Sequence, residues 1–466
     1  MLFNSNDFLL FFALFCLGYA LAARSLTLRN ILMVVASYVF YSWWDPRFSA
    51  LLLFTSVLDY SVGRLIDRSE TQTARRAWLV LSVTLNLGVL ALFKYFNFFR
   101  ESLETLLSSF GGNLHWTGWN IVLPVGISFY TFQSMSYVMD VYRRQIPAER
   151  NLLAFLGYVS FFPHLVAGPI QRGTTLLPQF SRVLAITRED LELGLWLTIW
   201  GMFKKVVLAD NLAPLVELVY QNQAPSGPMV LMGTAAFGVQ IYCDFSGYSD
   251  IAIGVSRLLG YRLTLNFNLP YFATDLRDFW RRWHISLSSW LRDYLYFSLG
   301  GSRRGVGRTY LNLGVTMLLG GLWHGASLTF VLWGAWHGLG LIAHRLWEQH
   351  GRGARFLPNW ICWALTQAFV LYGWLLFRAT SLDQVLQFTT ALGHWRLPHW
   401  WRPYLLNLLV LTVPLLAIQL WQWRSKDLKA PVRLPLWPRA LLQASLVLGT
   451  AAFWQPEASP FIYFQF

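Results

Sequence analysis

Charged residues are scarce in this chain. Only 13% of its 466 residues are Asp, Glu, Lys or Arg, against about 25% in an ordinary soluble domain. The shortfall runs along the whole length, which excludes a soluble globular protein. Acidic residues are scarcer than basic ones, 23 against 37, so few carboxylates are available to line an ion-coupled path. Cysteine is nearly absent. Cys16, Cys243 and Cys362 each lie in an apolar segment without CxxC spacing, which excludes a disulfide framework and a thiolate metal site; they read as small buried hydrophobes. No basic stretch precedes the first apolar run, and Arg24 and Arg29 come after it. That order predicts an uncleaved first span with its N-terminus outside, and not a signal peptide. Soluble domains, low-complexity tracts and long internal repeats are also missing; "LWHGA" and "AWHGL" are too short to count as one. A single membrane domain over residues 1–466 is the expected organisation.

What is present is apolar surface. Hydrophobic residues make up 55% of the chain and aromatics 17%, with 24 Trp, more than an interfacial belt requires. Long apolar runs alternate with short basic loops, the pattern of an all-α polytopic membrane protein. Candidate spans lie near 8–22, 30–44, 48–66, 77–98, 121–142, 152–168, 191–208, 229–256, 309–326, 328–346, 359–378, 404–423 and 440–454. Pro163 and Gly168-Pro169 interrupt the sixth, which predicts a kinked or re-entrant element. The net charge of +14 is read as the positive-inside bias, not as a nucleic-acid surface. Segments 64–76, 143–150 and 424–439 each carry several arginines or lysines between spans and are expected in the cytoplasm. The tail 455–466, ending "SPFIYFQF", is then expected outside, in the periplasm.

Three stretches carry candidate chemistry. The first is "DLRDFWRRWHISLSSWLRDYLYFSLGGSRRG". Written as one helix, it places Phe279, Trp280, Trp283, Leu287, Trp290, Leu291, Tyr294 and Leu295 on one face. Arg281, Arg282, Ser289, Arg292 and Asp293 fall largely on the other, with His284 near the boundary. That is an amphipathic interfacial helix. Its arginines fit either lipid headgroups or an anionic substrate. In the second, "TMLLGGLWHGASLTFVLWGAWHGLGLIAHR", no charged residue occurs from Thr309 to His344. His324 within such a run is a functional candidate, weighed against a neutral imidazole hydrogen-bonded between helices. His337 fits the structural role better, and His344 sits at a basic helix end. Metal binding by these three is not expected, because they are not at i, i+4 and no Asp, Glu or Cys accompanies them. In the third, "QIYCDFSGYSDIAIG", Asp244 and Asp250 border a Ser-Gly-Tyr turn. Asp244 is expected to accept hydrogen bonds from hydroxyls or to pair with an arginine.

Taken together, "RNILMVVASYVFYSWW", "LPVGISFYTFQSMSYVMDVYR", "FFPHLVAGPIQR", "YCDFSGYSDIAIG", "FWRRWHISLSSWLRDYLY" and "LLGGLWHGASLTFVLWGAWHG" resemble the membrane-bound O-acyltransferase (MBOAT) superfamily. Within it they resemble the bacterial branch that O-acetylates exopolysaccharides. The resemblance implies a ring of tilted helices, with re-entrant and interfacial helices, around a thinned centre. It implies that His324 is the buried family histidine and His284 the second polar position. It also implies acetyl-CoA as acyl donor at a cytoplasmic funnel, with Arg281, Arg282, Arg303 and Arg304 facing the CoA phosphates. The implied partners are a periplasmic esterase-like (SGNH-type) acetyltransferase, the polysaccharide synthesis and secretion machinery, and the lipids of the bacterial inner membrane. Tyr463 is then expected to carry the acetyl group outward, against the plainer reading of the tail as an aromatic anchor. Alginate and cellulose are the leading polymers, and peptidoglycan also fits. A transporter or flippase would want inverted repeats and buried acids along a path; a scaffold for a periplasmic enzyme would not need the histidines.

Overall fold

The computed structural model describes residues 1–22, 24–111, 121–349, 357–454 and 461–464. The chain opens with apolar helices α1 (Asn6–Ala22) and α2 (Leu26–Ser42), then α3 (Arg47–Arg68) and the 38-residue α4 (Gln72–Ser109). The starts of α2 and α4 are set by the side chains of Ser25 and Thr71, which accept from the amides of Leu28 and Ala74 and so satisfy donors the first turn leaves open. Next come α5 (Ile127–Tyr142), α6 (Leu152–Ser160), α7 (Phe162–Leu165) and α8 (Gly173–Leu176). Beyond them lie α9 (Arg188–Met202), α10 (Asp210–Tyr220) and the 32-residue α11 (Gly227–Leu258). After the short α12 (Leu276–Arg282) and α13 (Ile285–Trp290) run α14 (Val306–His324), α15 (Leu328–Gln349) and α16 (Asn359–Arg378). The chain continues through α17 (Leu382–Ala391), α18 (Trp401–Ser425) and α19 (Leu436–Ala452). Five of these, α3, α4, α11, α16 and α18, are long and apolar enough to cross a bilayer by themselves. The molecule is an all-helical polytopic membrane protein.

The expected break in the sixth span is present. Pro163 cannot donate, α6 stops at Ser160, and the chain from Phe161 to Gln171 stays buried with only the one-turn α7 in it. Irregular backbone at such depth survives only where protein supplies the missing partners. Here Ser37 Oγ accepts from the amide of Phe162 at 3.0 Å, and Ser286 Oγ accepts from that of Ile170 at 3.0 Å. The seventh span is longer than expected: α9 passes through a π-helical turn at Phe203–Ala209 straight into α10. The turn frees carbonyls of Val206 and Val207, and the Asn211 amide donates to both at 3.0 Å. Many tryptophans lie inside, as the composition implied; Trp196, Trp283, Trp333 and Trp374 are fully buried. Cys243 is buried, whereas Cys16 and Cys362 are only half-buried.

The stretch read as one interfacial helix is three pieces. α12 ends at Arg282, His284 adopts the left-handed conformation (φ 43°), α13 restarts at Ile285, and a π-helical turn covers Leu291–Tyr296. Positive φ is uncommon for a residue with a Cβ. The anchor is Asn266, whose backbone carbonyl accepts from Ile285 at 2.9 Å and whose Oδ1 accepts from the Ser286 amide at 3.2 Å and hydroxyl at 2.9 Å. One helical face therefore does not run through 275–295. Trp283 and His284 turn fully inward instead.

Helices α9 and α11 touch backbone to backbone through glycines. A Cβ on Gly201 would lie 2.6 Å from the Gly247 carbonyl oxygen, and one on Gly254 would lie 2.7 Å from that of Gly194. Small residues at such crossings let helices pack closely in a membrane. Gly201→Leu is expected to lower the thermal midpoint in detergent, by a destabilisation of about 1–3 kcal/mol for overpacking. Gly88→Leu, where no atom lies within 4 Å of the added Cβ, is expected to leave it unchanged. Scanning fluorimetry of the two variants checks this.

Candidate functional site

Helix α14 delivers His324 as its last residue. Gly325, extended at φ −162°, ends the helix. A helix end leaves its last four carbonyls without intrahelical partners, and all four are occupied here. Gly325 N–H donates to Gly321 O at 3.4 Å, and Tyr95 Oη donates to Leu322 O at 2.7 Å. Lys94 Nζ donates to Trp323 O and, at 3.2 Å, to His324 O. A cation on the negative end of a helix is favourable electrostatically as well. Two adjacent α4 residues thus fix the end of α14 that carries the histidine.

The His324 imidazole is walled by aromatic edges. Its ring centroid lies 5.0 Å from Trp323, 5.0 Å from Trp333 and 5.2 Å from Phe377, all near perpendicular. The fourth wall is Tyr463, at 5.5 Å and 47°. His324 Nδ1 and Tyr463 Oη are both buried and without a hydrogen-bond partner among the described residues. The structure therefore brings together two residues that are 139 positions apart in the sequence. Ser459, Pro460 and Phe466, expected to bend and anchor the tail, lie outside the described residues.

His284 is fully buried a step away. Trp323 stands 5.9 Å from its ring and 5.0 Å from that of His324. Its Nδ1 lies 3.1 Å from Asn266 Oδ1. That oxygen already accepts from Ser286, so Nδ1 is the donor and Nε2 carries the lone pair. No protein group among the described residues meets Nε2. His337 is buried among Phe279, Trp280 and Trp333.

Two cavities meet at His324. One, of about 90 Å³, is lined by Lys94, residues 123–129, Val166, Trp323, His324 and Tyr463. The other, of about 270 Å³, includes Trp280, Leu287, Arg292, Gly320, Trp333 and Arg345 in its wall and also reaches His324. It shares Trp280, Ser288, Arg292, Leu313, Leu341 and Arg345 with a further 400 Å³ cavity lined by Arg277, Arg281 and His344. Helix α5 runs from the small cavity toward the segment that carries Arg292. Its 16 residues span about 24 Å. The start of α5 lines the small cavity, while Arg143 just past its end donates to the carbonyl of Asp293 at 3.1 Å.

Of the four arginines picked out in the sequence, only Arg281 lines the arginine-rich cavity. Arg282 is committed to Asp278 at 2.7 Å and to the Asn268 carbonyl. Arg303 and Arg304 lie on an exposed turn outside that lining. Arg277, Arg292 and Arg345 take their places. Asp244 pairs with a lysine, Lys205, at 2.7 Å, and not with an arginine. Sequence reading missed Lys94, Lys204 and Lys205. Each was signalled by a lysine inside an apolar run, which rarely lacks a purpose.

Comparison with known proteins agrees with the motifs. Residues 83–382 match the family described as MBOAT, membrane-bound O-acyltransferase family. The chain is 40% identical to the probable alginate O-acetylase AlgI of Pseudomonas putida, with all of both proteins covered. It is 43% identical to the probable alginate O-acetylase AlgI of Pseudomonas aeruginosa over 89% of this chain and 80% of that one. It is 35% identical to the peptidoglycan O-acetyltransferase of Helicobacter pylori over 83% of this chain and 79% of that one.

Removing the α4 cation should loosen the helix end it holds. Lys94→Met leaves two α14 carbonyls unbonded, and each hydrogen bond to a charged group is worth about 1.5–3 kcal/mol. Hydrogen–deuterium exchange is expected to rise at least ~10-fold in the peptide spanning 318–326 and to stay unchanged in α18. Equal exchange in both proteins would contradict the capping role.

Proposed function

Since the chain belongs to the membrane-bound O-acyltransferase family and is a multi-pass membrane O-acyltransferase, we propose that it moves an acetyl group from cytoplasmic acetyl-CoA across the bacterial inner membrane for exopolysaccharide O-acetylation of the alginate type. The observation that carries this reading is the position of His324, which lines cavities on both sides of the protein and has the Tyr463 phenol in the outer wall. The likeness to alginate O-acetylases over the full chain supports the polymer class.

The donor enters from the arginine-lined side. Arg277, Arg281, Arg292 and Arg345 meet the CoA phosphates, with Arg282, Arg303 and Arg304 adding charge around the mouth. This side faces the cytoplasm by the positive-inside rule, and the tail faces the periplasm. At the centre His324 takes the Tyr463 phenolic proton as the oxygen attacks the thioester carbonyl. The C–O bond forms, the C–S bond breaks, and the proton leaves with the CoA thiol. His284 supports His324 across the shared Trp323 ring. The resulting aryl ester is then attacked by a hydroxyl of a periplasmic SGNH-type transferase. That step restores the phenol and leaves the acetyl group as an ester on the transferase, and a polymer hydroxyl then displaces it and frees the transferase hydroxyl.

A phenol and a ring-only analogue separate relay from anchor. Tyr463→Phe keeps the aromatic packing and is expected to abolish polymer acetylation, whereas the unsubstituted protein carries an acetyl adduct on its C-terminal peptide by mass spectrometry. His324→Ala is expected to lower turnover by at least ~10²-fold, the low end for loss of a general base. Full acetylation by Tyr463→Phe would remove the relay. The charged mouth is tested separately: Arg281→Glu with Arg345→Glu is expected to raise KM for acetyl-CoA with a smaller effect on kcat, because these groups bind ground and transition states alike.

A further inference from the structure

The interior holds a group of buried charges that the acyl transfer does not use. Adjacent lysines on the π-helical turn after α9 reach two carboxylates of α11. Lys204 Nζ pairs with Asp250 at 2.7 Å. Lys205 Nζ pairs with Asp244 at 2.7 Å and with Asp210 at 2.8 Å. The group therefore sets two cations against three carboxylates. Lys205 is divided between two of them, so Asp244 keeps acceptor capacity that its cation does not fill. A buried carboxylate in that position needs another donor. The donor is the backbone amide of Ile462 in the C-terminal tail, 2.7 Å from Asp244 Oδ2.

The residues around Asp244 complete a seat for that tail. Phe461 is buried and lies 5.1 Å from Tyr248 and 5.7 Å from Phe245. Tyr463 lies 4.6 Å from Phe245 and stacks on Phe461 at 5.4 Å. One amide is thus gripped by charge, and the ring on either side of it is seated on α11. An N–H of the main chain carries no side-chain identity, so the grip fixes where the segment sits and the rings fix its register. The next residue in the chain is the phenol beside His324.

We propose that Asp244, paired with Lys205, is a positioning residue that grips the Ile462 amide and thereby seats the C-terminal segment with Tyr463 against His324. The seat is a peptide-binding site on α11 whose ligand is the chain's own aromatic tail. The purpose of the grip rests on the relay reading, but the grip itself does not.

The test uses the full-length protein with a photo-crosslinking benzoylphenylalanine at position 461. Crosslinking to α11, mapped by mass spectrometry, is expected in the otherwise unsubstituted chain. Asp244→Asn and Ile462→Pro are each expected to lower the crosslink yield at least ~10-fold, as loss of a charge-assisted hydrogen bond predicts. Both should also expose the tail to carboxypeptidase and deplete the acetyl adduct on its peptide. Ile462→Pro removes the N–H and leaves every buried charge in place, so it keeps the test decisive if Asp244→Asn fails to fold. Asp250→Asn, which breaks the neighbouring pair, is expected to leave the tail seated. Unchanged crosslinking in Ile462→Pro, or equal release by Asp250→Asn, would overturn the proposal. Tyr463→Phe keeps the amide and should crosslink normally. If that variant also acetylates the polymer, the relay falls while the grip stands.

Discussion

A helix that stops inside a bilayer exposes carbonyls where no water can reach them, and the centre of this protein is built around one such end. Helix α14 stops at His324 because contacts from outside it take over its hydrogen bonds. Lys94 and Tyr95 bond three of the last four carbonyls. The consequence is mechanical. The histidine is held by α4 on its backbone side and by aromatic edges on its ring side, so it has little freedom to turn. It is also placed where cavities from the two sides come within one residue of each other. Had α14 run on, its own backbone would have sealed the gap between them.

The same demand for partners explains where the remaining polar side chains went. Non-helical backbone around Phe161–Gln171 is bonded by Ser37 and Ser286 from other helices. The strained conformation at His284 is held by Asn266. The π-helical turn after α9 directs Lys204 and Lys205 toward α11, where carboxylates answer both. Each irregularity sits beside the central histidines or the tail. An ideal straight helix would have been easier to satisfy but would have left no cavity and no seat.

Much of the fold was legible from hydropathy. The candidate spans at 30–44, 48–66, 229–256 and 359–378 coincide closely with α2, α3, α11 and α16. His324 was legible because an ionisable side chain inside a long uncharged run needs a reason. The break at Trp283–His284 was not, since periodicity within 275–295 carries no trace of Asn266, whose contacts cause it. The arginine-lined cavity was only partly legible, since Arg345 joins it from α15, far from Arg281 in sequence. Lys94 was overlooked inside an apolar span that its single charge did not disturb. The proximity of Tyr463 to His324 is a tertiary fact, and the sequence could offer only a lone phenol in an aromatic tail.

The wall around His324 bears on what a tail can do there. Tyr463 lines the same cavity as Lys94, Trp323 and His324, and its ring packs on Phe245, Phe461 and Phe377. Its hydroxyl is buried without a hydrogen-bond partner among the described residues. Water is the competing nucleophile in any acyl transfer. On the proposed relay, the rings around the phenol would keep water from the ester it carries, and the same packing would hold its oxygen beside the histidine.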